Sequence, residues 1–146
     1  MASPRSPGDW WQLLRPAILV PTQGVVHAGE FTVDVELDGV HGSRNVAGLL
    51  KPLLDGLVSA LQVHRPAPAQ AEDRVRSRLA LLGDPPEPWT LLTDDSVSVL
   101  GARSLVRAGK TNLVWNPGDD RCSAVSVIAR AATTPRIAAT VHAVPE

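Results

Sequence analysis

Between Phe31 and Leu37 apolar and polar residues alternate without a break. Phe31, Val33, Val35 and Leu37 stand in one phase, and Thr32, Asp34 and Glu36 in the other. A period of two predicts a half-buried strand. Gly29-Glu30 precedes it, and Asp38-Gly39 is a turn signal behind it. The period then changes. Leu50, Leu53, Leu54, Leu57 and Leu61 follow the spacing of an amphipathic helix that runs from Ala47 or Gly48 to Gln62. Inside a helix Pro52 loses a hydrogen bond and clashes with the preceding turn, so it belongs in the first turn and sets the start near Gly48. Ser43 or Asn45 would cap or precede it. Gly56 in mid-helix costs about 1 kcal/mol relative to Ala and marks a close approach by another element.

The remaining pattern is weaker. Residues 10–15 predict a helical turn and Val25–His27 a short strand. Residues 71–82 predict a second, shorter helix with Val75, Leu79 and Leu82 on one face and Gly83 as its stop. The Pro- and Ala-rich residues 65–70 suit a linker, and residues 84–88 an irregular loop. Val97–Leu100 predicts a strand that Leu105-Val106 continues beyond a kink at Gly101. Leu113–Trp115 with Asn112, and Ser123–Arg130, are the last strand candidates; the Ala content of the second leaves a helix open. The expected fold class is α+β, a small mixed β-sheet packed against one long and one shorter helix. Residues 1–8 read as a flexible arm, 9–132 as a single domain with an insertion at about 62–92, and 133–146 as a flexible tail.

Composition changes this picture little. With 146 residues the chain has the length of one domain. Twelve of the fourteen basic residues are arginine, and the net charge is −1, which gives no general attraction to nucleic acid. A phosphate-binding surface would need local clustering of arginine. Cys122 is the only cysteine, so no disulfide forms within the chain. The apolar run Ala17–Val20 is too short to span a bilayer, and no signal-peptide layout is present. A cytoplasmic protein is the expectation.

The residues from Asn45 to Leu57 carry the main functional signal. They resemble the motif Asp-x-Asp-Asn-x-x-Lys-x-x-x-Asp-Ala-Leu of the RusA-like Holliday-junction resolvases. Lys51, Asp55 and Leu57 fall in register, with Gly56 in place of Ala, Asn45 and Ala47 in place of the paired aspartates, and Gly48 in place of Asn. Farther on, Asp94-Asp95 with Val97 matches that family's later Asp-Asp-x-Val. The resemblance covers about residues 30–130. It implies a RusA-like fold, a homodimer, and magnesium-dependent cutting of branched DNA in recombination and repair. It also implies site roles for Lys51, Asp94 and Asp95, with Asp95 as a metal ligand. Phosphate contacts would come from Arg44, Arg103, Arg107 and Lys110.

The departures weaken the chemistry. Magnesium prefers oxygen ligands in octahedral array. Asn45 can offer a single carbonyl oxygen, and Ala47 offers nothing. A displaced metal site would use Asp38 with Asp94 or Asp95; the plainer reading of Asp34, Glu36 and Asp38 is the solvated side of a strand. His41 is a candidate base or phosphate ligand, or an ordinary loop residue. Arg74 and Arg78 share a helix face suited to phosphate, or to solvent, with Glu72 pairing Arg76. Cys122 reads as a buried small side chain. Trp10-Trp11 reads as an anchor to the core or to a second subunit.

The leading expectation is a catalytically impaired DNA-binding or assembly protein on a resolvase scaffold. An active magnesium-dependent junction endonuclease with a rearranged carboxylate site is the alternative. An unrelated α+β binding or scaffolding domain is the third.

Overall fold

The computed structural model describes residues 6–18, 29–39, 46–65, 72–80, 88–94, 96, 98–110 and 113–144. The fold is α+β. The helices are α1 (Pro7–Leu14), α2 (Val46–Ala60), α3 (Glu72–Leu79) and α4 (Pro88–Thr93). The strands are β1 (Phe31–Asp38), β2 (Val63–His64), β3 (Ala102–Arg103), β4 (Val106–Ala108), β5 (Leu113–Trp115), β6 (Cys122–Arg130) and β7 (Arg136–Ala143). The chain divides into two compact units. The first comprises residues 1–27 and 51–117, the second residues 28–50 and 118–146.

The second unit is a mixed three-stranded sheet in the order β6-β1-β7. β1 pairs in parallel with β6 and antiparallel with β7. The alternation read from the sequence is realised: Phe31, Val33, Val35 and Leu37 are buried. Val125 and Val127 of β6 and Ile137, Ala139 and Val141 of β7 lie in register with this apolar set. The opposite face carries Asp34, Glu36 and Asp38 beside Ser126, Ile128 and Arg130. β6 settles the helix-or-strand question at Ser123–Arg130 in favour of strand. β7 replaces the expected tail, because the alternation of Ile137, Ala139 and Val141 matches the buried residues of β1. Gly39, at φ 64°, ends β1, and its N–H donates to the Arg130 carbonyl at 2.8 Å. A Cβ there would stand 2.7 Å from the Ala132 carbonyl oxygen, so only glycine fits.

The first unit is built around a core of Trp11, Ala60, Val75, Leu79, Leu92, Leu105 and Val106. α1 begins in the segment expected to be a loose arm. Ser6 and Asp9 form a capping box, each side chain accepting from the other's backbone N–H at 3.2 Å, with Pro7 in the first turn. The cap lies in polar residues, so hydrophobic periodicity passes over it. Trp10 and Trp11 are then buried, and the Trp11 ring lies 5.3 Å from that of Trp115. The tryptophan pair is therefore an anchor to the protein's own core.

α2 starts at Val46, two residues before Gly48, so Pro52 sits inside the helix rather than in its first turn. The position expected to mark close packing does so: a Cβ on Gly56 would collide with the Trp10 Cβ and stand 2.8 Å from the Pro7 carbonyl oxygen. The expected strand Val97–Leu100 is a turn where it is described, and the strand pairing begins beyond Gly101 with β3. The 62–92 segment, expected as an insertion, carries ordered elements where it is described. It supplies β2, α3 and α4, and with them the buried Val63, Val75, Leu79 and Leu92. Its many charges and prolines mask short elements that each bury only one or two residues. The expected Val25–His27 strand and the Gly83 stop lie outside the described residues.

Candidate nucleic-acid interface

α3 buries Val75 and Leu79 in the first unit's core and turns its arginines outward. It packs against β4 and β5, an antiparallel pair in which Arg107 stands opposite Val114. The Arg78 guanidinium reaches this pair from α3. Its Nη1 donates to the Gly109 carbonyl, and its Nη2 donates to the Lys110 carbonyl at 3.2 Å. Arg74 is one helical turn before Arg78, so the same side of α3 carries both. Arg74 and Lys110 are exposed. Helix spacing and one long-range contact thus bring Arg74, Arg78 and Lys110 to neighbouring elements, although they are far apart in sequence.

Arg76 points elsewhere. Its guanidinium lies over the Trp89 ring, 5.5 Å from the centroid. Arg107 is exposed on β4, while its neighbours Val106 and Ala108 turn to the core. Arg103 lies half-buried on β3, in register with His64 of β2. It shares no element with Arg107 or Lys110. The proposed phosphate set is therefore only partly gathered, and Arg44 lies outside the described residues.

The residues of the resolvase motif are placed as follows. Lys51 is exposed, and its Nζ donates to Asp55 Oδ1 at 2.7 Å along one turn of α2. Asn45 and Asp95 lie outside the described residues, as does His41. Asp94 follows the end of α4. Its Oδ1 accepts from the Ser96 N–H at 2.9 Å, and that bond, followed by the Ser96 hydroxyl and the Arg15 charge, holds its carboxyl below the usual range. Arg15 is 3% exposed and donates from Nη2 to the carbonyls of Leu91 and Asp94, both at 2.9 Å. This is a helix C-terminus closed by a buried guanidinium, a structural task for Asp94 that sequence spacing did not suggest.

Asp38 ends β1 and accepts from Arg130 Nε at 3.0 Å. Arg130 also lies 3.3 Å from Glu36, and His142 lies 3.1 Å from Asp34. The polar face of the sheet is thus a row of carboxylates in contact with Arg130 of β6 and His142 of β7. Among the described residues, no three His, Cys, Asp or Glu side chains come together as a metal site. Of the described carboxylates proposed for magnesium, Asp38 accepts from Arg130 and Asp94 from the Ser96 N–H.

Sequence reading missed His64. It is buried, its Nδ1 accepts the Leu105 N–H at 3.0 Å, and burial lowers its pKa. Its imidazole meets the Trp89 ring edge-on at 5.9 Å. No residue pattern marks it, because its partner lies forty-one positions away. Cys122 is half-exposed at the start of β6 rather than buried. No helix among the described residues is long and apolar enough to cross a membrane.

No protein-family description matches this chain, and no curated protein or solved structure is significantly similar to it.

Proposed function

We propose that the protein is a non-catalytic DNA-binding or assembly protein, gripping phosphates with the outward side of α3 and the β4–β5 turn. The observation that carries the reading is the docking of Arg78 on the Gly109 and Lys110 carbonyls, which holds the segment carrying Lys110 against the helix that carries Arg74. Clustered cations of this kind supply the non-specific part of DNA affinity by releasing counterions. The charge distribution supports it. The first unit's segments carry ten Lys and Arg against eight Asp and Glu, and the second unit's carry four against seven. The chain's net charge of −1 therefore hides a basic unit.

The non-catalytic half of the reading rests on the motif itself. Lys51 is paired with Asp55, Asp94 is engaged by Ser96 and Arg15, and Asp38 by Arg130. Positions 45 and 47 lack the carboxylates the resolvase motif has. The test is a synthetic four-way junction incubated with the protein in magnesium. The expected result is a gel shift with intact strands. Cleavage that disappears in Asp95→Asn would establish the endonuclease reading instead. Absence of any shift at low salt would leave an α+β domain with no nucleic-acid role.

A further inference from the structure

The three-stranded sheet ends on two long edges, β6 and β7. An open edge presents unpaired N–H and C=O groups, and proteins that stay monomeric blunt it with proline, inward charge or a short strand. β6 has nine residues, and from Ser123 to Ala129 it contains neither a charge nor a proline. Ala124, Ser126, Ile128 and Ala129 are exposed, and Ile128 is 50% exposed, the most of any large hydrophobic residue described. The register shift between Phe31 and Thr32 places the irregularity at Ser123, so the regular part of the edge is Ala124–Arg130.

We infer that β6 pairs antiparallel with β6 of a second copy, about a two-fold axis at Ser126, so that two three-stranded sheets become one sheet of six. The side chains decide the occupant and the register. Opposite residues of an antiparallel pair share a face. Centred on Ser126, Val125 meets Val127 of the second copy and extends the apolar face, on which Val125 and Val127 already stand beside Val33 and Val35. On the other face the exposed Ile128 meets Ala124. Arg130 stays outside these pairs, in its own ion pairs with Glu36 and Asp38. The same operation on β7, centred on Ala139, keeps an apolar pair in Ile137 and Val141 but sets Arg136 opposite His142, two basic residues on one face. β7 is therefore the poorer edge. The inference does not depend on the DNA-binding reading.

Position 126 opposes itself across the axis, which gives a charge-swap test on the full chain by sedimentation velocity at micromolar to submillimolar concentrations. Wild type is expected to be a dimer. Ser126→Lys and Ser126→Asp each place like charges opposite one another and are expected to weaken dimerisation about tenfold or more. Mixing the two variants is expected to restore the dimer, and circular dichroism like that of wild type would show that both still fold. A monomeric wild type, single variants as dimeric as wild type, or a mixture no more dimeric than its folded components would overturn the inference.

Discussion

Gly56 is the residue on which the packing of α1 against α2 depends. It lets Trp10 and the Pro7 carbonyl approach α2 more closely than a Cβ allows. Gly56→Ala removes about 1 kcal/mol of helix cost but introduces overpacking of about 1–3 kcal/mol. A net loss is expected, read as a lower urea midpoint with unchanged slope. A higher midpoint would mean that α1 yields without cost. His64 sets a second test. Unfolded, its imidazole titrates near 6.5, while burial lowers the folded value. As pH falls through 6.5 the unfolded chain takes a proton that the folded chain refuses, so stability is full above that pH and declines below it. His64→Asn can still accept from Leu105 and cannot titrate. It is expected to flatten the loss of stability between about pH 7 and pH 5. An equal loss in the variant would place the effect on another group. At this scale the sequence is uneven. Gly56 announces itself by sitting in a leucine-rich helix. His64 does not, because its role is set by a backbone N–H far along the chain.

Among elements, β1, α2, α3 and β5 were legible, and β2, α4 and β7 were not. β1 and α2 repeat their periods often enough to be read directly. α4 has six residues and buries only Pro88 and Leu92, so its pattern is swamped by neighbouring prolines. What holds its end is Arg15, from the other side of the first unit's sequence. Arg15→Met should remove both bonds and cost about 1–3 kcal/mol, since two part-buried carbonyls are left without a charged donor. Thermal unfolding would measure it, and a loss under about 0.5 kcal/mol, the range of ordinary surface changes, would show that α4 closes without the guanidinium. β7 was hidden for a different reason. Its Ala-rich sequence has little strand propensity of its own and becomes a strand by pairing with β1.

At the scale of the molecule the two units differ in charge. The sheet pairs Glu36 and Asp38 with Arg130 and sets His142 against Asp34. The helical unit leaves Arg74, Arg107 and Lys110 exposed. The resemblance to the resolvase motif rests on sequence alone, whereas the proposed phosphate surface could not be read there, because Arg78 and Gly109 meet only through folding. The most direct measurement is the salt dependence of DNA affinity, by fluorescence anisotropy on a labelled four-way junction, for wild type and for Arg74→Gln/Lys110→Gln. Each phosphate contact contributes about 0.9 to the slope of log affinity against log salt, so the double variant should lose about 1.8 of it. An unchanged slope, or no binding by wild type at low salt, would contradict the assignment of this surface.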